Sequence, residues 1–283
     1  MAPHEAGHGD TPALPDALPI PVVDNHAHLD IARGDAPAMA IADAVTKAAS
    51  VGVDRIIQIG CDLEAAQWTV DNLDAYPALL GGVALHPNEV PRLRDEGGLE
   101  QAWATIERLS AHPRIRVIGE TGLDYFRTGP EGVEVQQESL RWHIDLAKRT
   151  GKALQIHDRE AHDDVLRILA EEGAPEKTVL HCFSGDINMA RACVEAGYFL
   201  SFAGTVTFKS AGALRDALAI VPLDRVLVET DAPYLTPMPW RGSTNASYLI
   251  PHTVRAMATV LNVAVPTLCS ALSENSERVY GPW

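Results

Sequence analysis

Short β-branched runs alternate with longer amphipathic stretches along the whole chain, and very few folds are compatible with that alternation. Strands are expected over residues 22–24, 55–59, 80–85, 116–118, 153–156, 178–180, 198–202 and 226–228. Helices are expected over residues 36–51, 64–73, 99–109, 135–149, 162–171, 187–196 and 213–220, with two more, 251–261 and 266–279, closing the chain. In the first helix, Ile41, Ala44, Val45 and Ala48 fall at helical spacing. A repeating strand–helix order pairs strands in parallel through right-handed crossovers. The strand runs are short and apolar on both sides, as burial of both faces requires. Eight such units close into an α/β fold, a (β/α)8 TIM barrel forming one domain over residues 22–283. An open doubly wound sheet is the alternative. It would carry a Gly-rich phosphate turn after its first strand, whereas this first strand runs into His26 and His28. Residues 1–21, rich in Pro, Ala and Asp, are expected to form a disordered tail with no part in the core. His4 and His8 are then solvated tail residues.

Charge narrows the function. With 23 basic and 38 acidic residues the formal net charge is −15, which excludes a general nucleic-acid coat. Any DNA or other phosphodiester must be held at a local site, where a buried cation can supply the missing positive charge. The four cysteines, Cys61, Cys182, Cys193 and Cys269, include no C-x-x-C pair and are expected to be reduced thiols of a cytoplasmic protein. The chain's start lacks a basic n-region and an apolar h-region, and no apolar run approaches the ~20 residues of a membrane span. No membrane partner is expected.

The metal-competent residues fall where the chemistry of a barrel is done. His26 and His28 follow the first strand, Glu120 the fourth, His157 the fifth, His181 the sixth and Asp231 the eighth. All lie at C-terminal strand edges, the face on which barrel enzymes keep their active sites. In H-x-H on an extended segment both side chains face the same way and can grip one ion. Either alone is a weak signal, since a lone strand-end histidine is commonly a packing residue. Four imidazoles and two carboxylates on one face exceed what one tetrahedral ion needs. They favour two divalent cations (zinc, manganese or magnesium), bridged by Glu120. Two cations ~3.5–4 Å apart can clamp a phosphoryl oxygen and generate hydroxide at neutral pH, with Asp231 placed to take the proton. Cys182, next to His181, points to the opposite face and reads as a packed thiol. His112 reads as a turn residue, and His143, His162 and His252 as surface residues of helices.

Six motifs carry a resemblance. They are Asp24-Asn25-His26-Ala27-His28, Leu85-His86-Pro87, Gly119-Glu120-Thr121-Gly122-Leu123-Asp124-Tyr125, Gln155-Ile156-His157-Asp158-Arg159, His181-Cys182-Phe183-Ser184-Gly185 and Glu229-Thr230-Asp231-Ala232-Pro233-Tyr234-Leu235. In this order the chain resembles the TatD-type metal-dependent hydrolases of the amidohydrolase superfamily. The resemblance implies a barrel with a divalent-metal centre that hydrolyses DNA phosphodiesters. It implies His26, His28, Glu120 and Asp231 on a first metal, and Glu120, His157 and His181 on a second. Catalysis then rests on Asp231 and Glu120. Where the family often has Arg-Gly-x-x-Asn-Glu-Pro, this chain has Arg241-Gly242-Ser243-Thr244-Asn245-Ala246-Ser247, and Asn88 stands where some members have histidine. Both departures fall in loops expected to touch substrate.

Substrate contacts are expected from His86, Asp124, Tyr125, Arg159, Ser184, Arg241 and Asn245, with Arg127 as a further phosphate contact and Tyr125, Phe183 or Trp240 as base-stacking surfaces. His86 fits loop packing equally well. The leading expectation is a metal-dependent deoxyribonuclease working from an end, in the manner of a 3'-5' exonuclease. The same centre could attack a carbonyl carbon, so an ester or amide hydrolase such as an aminoacyl-tRNA deacylase is the alternative. A non-catalytic metal- or nucleic-acid-binding barrel is the third.

Overall fold

The computed structural model describes residues 11–34 and 37–283. Eight strands form one parallel sheet in sequential order: β1 Val22–Ala27, β2 Val53–Gly60, β3 Leu79–Val83, β4 Ile115–Asp124, β5 Ala153–Arg159, β6 Thr178–Leu180, β7 Phe199–Phe202 and β8 Val226–Val228. The ends of the sheet meet through a parallel bridge between Ala27 and Ala232, with the His28 amide donating to the Ala232 carbonyl at 2.8 Å. Among the described residues ten α-helices accompany them: α1 Ile41–Ser50, α2 Leu63–Leu73, α3 Val90–Asp95, α4 Leu99–Ser110, α5 Pro130–Thr150, α6 His162–Glu172, α7 Ile187–Glu195, α8 Gly212–Ala219, α9 Ile250–Leu261 and α10 Val265–Tyr280. The expected barrel is therefore the observed one.

Local chemistry sets the element ends. Asp62 caps α2 by accepting from the Ala65 amide, and Asp186 caps α7 by accepting from Asn188 and Met189. Helix α5 starts five residues earlier than its apolar pattern, because Pro130 sits in the first turn, where a missing N–H costs nothing. It stops at Gly151, whose φ of 66° suits a left-handed cap. Helix α3 was not expected, because its short run carries Pro91 and three charged residues. The expected start of the first helix, residue 36, lies outside the described residues; the observed helix starts at Ile41.

Three strands outrun their apolar segments. Strand β1 continues through His26, β4 through Glu120 to Asp124, and β5 through His157 to Arg159. The β4–β5 ladder pairs Gly122 with His157 and Asp124 with Arg159, so these polar residues belong to the sheet rather than to loops after it. Ladder hydrogen bonds are indifferent to side-chain polarity, which is why hydropathy ended the strands early.

The barrel interior is layered. Val23, Ile57, Ile59, Leu80, Val117, Ala153, Val179, Phe199 and Leu227 form an apolar layer, against which Val279 and Tyr280 pack from the end of α10. The next inward positions along β1, β5, β7 and β8 are polar and fully buried: Asn25, Gln155, Ser201 and Glu229. The metal-competent residues lie above this polar layer.

Two expectations are corrected. Residues 12–18 do not hang free of the core. Leu18 is buried and its amide donates to Val51, Tyr248 donates its hydroxyl to the Pro12 carbonyl, and Arg255 donates to Asp16. His4 and His8 lie outside the described residues. His143 is not a surface residue but fully buried, on the α5 face that also carries Leu140 and Ala147. Its Nε2 accepts from the Leu85 amide and its Nδ1 lies 2.7 Å from the Ser139 carbonyl, which joins α5 to the end of β3.

Gly122 has φ +148°, and a Cβ there would stand 1.9 Å from the His157 carbonyl oxygen. Gly122→Ala is expected to destabilise the fold by about 1–3 kcal/mol from backbone strain before the clash is added. A lowered urea midpoint in chemical unfolding checks this.

Candidate metal centre

Five imidazoles surround one buried carboxylate. Glu120 presents Oε1 to His157 Nδ1 at 2.6 Å, His181 Nε2 at 2.9 Å and His86 Nε2 at 3.5 Å. Its Oε2 faces His26 Nε2 at 3.5 Å and His28 Nε2 at 3.8 Å. Asp231 closes the second side, with Oδ1 3.5 Å from His28 Nε2 and 4.0 Å from His26 Nε2. Three triads each gather ligand atoms within 4.8 Å of one another: His26, His28 and Asp231; His26, Glu120 and His181; and His86, Glu120 and His157. The structure thus brings together all six residues expected from sequence, and His86 with them.

Hydrogen bonds behind the rings fix which nitrogen faces inward. Gln155 decides the case of His26. Its Nε2 donates to the Asn25 carbonyl and to the Tyr280 hydroxyl, each at 2.8 Å, so its Oε1 must face His26 Nδ1, also at 2.8 Å. His26 therefore carries its proton on Nδ1 and turns a lone pair inward from Nε2. His28 donates from Nδ1 to the Ile59 carbonyl, and His181 from Nδ1 to Glu229 Oε1. His157 has the opposite orientation, with Nε2 3.4 Å from Asp124 Oδ2 and Nδ1 on Glu120. Such partners behind each ring are what metal-ligating histidines have.

One contact shows that the donor set fits a cation. His26 Nε2 and His28 Nε2 stand 3.2 Å apart, so two lone pairs point at each other. Only a positive charge between or beside them relieves that repulsion. The mixed imidazole and carboxylate donors suit a divalent ion. Electrostatics agree. Burial would raise the Glu120 carboxyl, but the surrounding imidazoles, His181 first, hold it well below the carboxylate range. Burial also works against Asp231, and His28 outweighs it in the same sense. Burial would lower His28, but Asp231 and Glu120 push it up to about 9. His157 and His181 are raised against their burial by neighbouring acids, while burial and His181 lower His26. Without cations, protons fill the cage.

The chain around Asp231 is built to aim it. Asp24, fully buried, accepts from the Thr230 amide and hydroxyl at 2.9 and 2.6 Å. The Asp231 amide donates to the His26 carbonyl, and its φ is +54°. This backbone conformation is uncommon for a residue with a side chain, and it occurs here at a chemically active position.

Several expected substrate contacts have other work. Asp124 is buried and accepts from the Phe126 and Arg127 amides and from Asn88 Nδ2, while facing His157. It orients the His157 ring. Asn245 is buried, with its amide donating to the Thr230 and Tyr234 carbonyls and its Oδ1 accepting from Ala246. That leaves nothing for a substrate. Tyr125 donates to Asp164 and accepts from Gln137, and Phe183 is buried against Phe202. Trp240 is half-buried against the core. Asn88 and Ser247, at the two motif departures, also turn inward: Asn88 binds Asp124 and Thr128, and Ser247 is buried. Ser184 is exposed, its hydroxyl donating to the Asp158 carbonyl. Arg159 lies over the Phe126 ring at 3.9 Å and Arg241 over Phe208 at 4.5 Å. Sequence reasoning missed two exposed aromatics on strand-end loops, Phe126 (57% exposed) and Tyr234 (42%). It also missed the support from Gln155, Glu229 and Tyr280. Cys182 is half-buried, its amide donating to Glu229, and burial pushes its thiol well up. His162 pairs with Asp158, and His252 is half-buried rather than free on the surface.

Replacing Gln155 with Leu removes the acceptor that fixes His26. Cation affinity is expected to fall about 10–100-fold, measured by chelator competition, with the circular dichroism spectrum unchanged. Because protons occupy the cage when cations do not, cation binding must release them. Affinity is expected to rise with pH towards about 9, the value of His28. Calorimetric titration in buffers of different ionisation enthalpy counts the protons released.

The sequence comparisons converge on one family. The family model described as TatD related DNase matches residues 23–281. A Mycobacterium tuberculosis protein called an uncharacterized metal-dependent hydrolase TatD is 46% identical, covering 92% of this chain and 98% of its own. The Escherichia coli metal-dependent hydrolase YcfH is 35% identical over 92% and 95% of the two chains. The crystal structure of YjjV, a TatD homologue of E. coli, superposes with a TM-score of 0.83 at 26% identity over 93% and 98%. This chain belongs to the TatD-related DNase family and is a metal-dependent hydrolase.

Proposed function

We propose that the chain is a deoxyribonuclease that hydrolyses phosphodiesters from a strand end, in the 3'-5' direction, with two divalent cations. His26, His28, Glu120 and Asp231 hold the first, and Glu120, His157 and His181 the second. Bound cations would supply Lewis acidity and an activated water. Asp231, held ionised by His28, is the side chain placed to take a proton from that water.

The observation that carries the phosphodiester reading is a set of arginines at the strand ends, Arg159 as the last residue of β5 and Arg127 and Arg241 on the segments after β4 and β8. Arg127, Arg159 and Arg241 have no carboxylate within ion-pair distance among the described residues, although acids outnumber bases throughout the chain. On helices α3, α5 and α6, by contrast, Arg92, Arg141, Arg149 and Arg167 are neutralised by neighbouring acids. Guanidinium groups left unpaired around a cation cage fit phosphate. Phe126 and Tyr234 offer faces for unpaired bases, each stack worth ~1–3 kcal/mol. With so few cationic side chains available, duplex binding is weak and has a shallow salt slope.

The test is cleavage of end-labelled single- and double-stranded oligonucleotides across salt by cation-loaded protein. Single strands shortened from the 3' end, with the activity lost in Asp231→Asn, are expected. Tight, steeply salt-dependent duplex binding, or cleavage of aminoacyl or simple carboxylic esters with DNA left intact, would overturn the reading.

A further inference from the structure

His86 sits among the ligands but is wired the other way round. Strand β3 ends just before it, and the Leu85 amide is held by His143 Nε2 at 3.2 Å. The His86 amide donates to the Cys61 carbonyl at 2.8 Å, which fixes the backbone from the β2 side. Its ring then turns into the cage, 4.6 Å from the His157 ring and edge-on to it. By distance alone it is a ligand, since Nε2 is 3.5 Å from Glu120 Oε1 and completes a triad with His157.

The hydrogen bond on the far side of the ring says otherwise. His86 Nδ1 accepts the Asn88 backbone amide at 3.1 Å. A backbone N–H can only donate, so Nδ1 must offer its lone pair outward. A neutral imidazole has one proton, and here it stands on Nε2, the atom that faces the cage. In His26, His28 and His181 the far nitrogen meets an acceptor oxygen, and in His157 it lies 3.4 Å from one, so the near nitrogen is free to ligate. In His86 the far nitrogen meets a donor, so the near nitrogen carries hydrogen. That Nε2–H makes no hydrogen bond among the described residues, and the side chain is 16% exposed.

We propose that His86 is a catalytic hydrogen-bond donor to an oxygen of the bound substrate, a phosphoryl oxygen if the phosphodiester reading holds, and not a cation ligand. The Nε2–H would meet that oxygen from the side of Glu120 opposite Asp231. As water bonds to phosphorus and gives its proton to Asp231, the P–O bond to the leaving oxygen breaks, that oxygen ends as a hydroxyl, and negative charge grows on the phosphoryl oxygens on the way. A donor fixed in advance by the Asn88 amide needs no reorganisation when that charge appears. This assignment rests on the proposed function for the identity of the oxygen, but not for the direction of the N–H.

Three measurements on cation-loaded wild type, His86→Ala and His86→Gln test it, with bis(p-nitrophenyl) phosphate as the probe. Long-range proton–nitrogen spectra of histidine-labelled protein are expected to show, as the signal missing from His86→Ala, an imidazole protonated on Nε2. Cations per chain, counted by mass spectrometry, are expected to be equal in all three proteins. In His86→Ala kcat is expected to fall about 100-fold with KM little changed, and Gln, whose amide N–H reaches the position of Nε2, to recover at least about tenfold of that loss. Loss of one cation per chain in His86→Ala would make it a ligand and overturn the proposal. So would an Nδ1-protonated ring or an undiminished kcat. If wild type leaves the probe intact but cleaves p-nitrophenyl acetate, the phosphodiester reading falls alone. The same comparison on the ester then decides the role of His86.

Discussion

Glu120 is an almost wholly buried carboxylate whose two oxygens look in opposite directions at imidazole nitrogens. A buried charge of that kind is expensive unless paired, and here it is paired on both sides at once. The arrangement is stable only with positive charge in the cage, as protons or as metal ions. The rest of the molecule follows from that requirement. Side chains separated by some two hundred residues must converge on this carboxylate, and a ring of parallel strands with all C-terminal ends at one mouth achieves this.

Convergence alone does not make ligands; each nitrogen must also present the correct face. The polar layer beneath the cage does this work. Gln155 and Glu229 hold His26 and His181 from below, and Ser276 of α10 donates to the Asn25 side chain. Through Tyr280, the last helix reaches Gln155 and so the tautomer of His26. Breaking one such buried bond costs about 1–3 kcal/mol, enough to disturb a ring without unfolding a barrel. The C-terminal helix is therefore a support of the centre as well as a packing element.

The strand–helix alternation and the gathering of six metal-competent residues at strand ends were legible in the sequence, because hydropathy period and residue type are local signals. His26 and His28 could be paired by spacing alone. The extra length of β4 and β5 was not legible, since their polar ends are held by ladder bonds that hydropathy does not register. Asp124 and Asn245 looked like substrate contacts because a polar residue in a motif does not reveal where its hydrogen bonds go. Asn245 is taken up by the Thr230 and Tyr234 carbonyls and the Ala246 amide, and Asp124 by the Phe126 and Arg127 amides together with Asn88 and His157. His143 was misread although the signal was present: Gln136, Ser139, Leu140, His143, Ile144 and Ala147 keep one helical face, and that face is buried. Gln155 and Tyr280 are 125 residues apart, and no local pattern joins them.

The account stands on cations occupying the space on either side of Glu120. Anomalous diffraction from crystals grown with manganese tests this most directly. It should give two peaks flanking that carboxylate, one beside His26, His28 and Asp231 and the other beside His157 and His181. A map with no peak among these side chains, or with the imidazole nitrogens turned outward from Glu120, would contradict it.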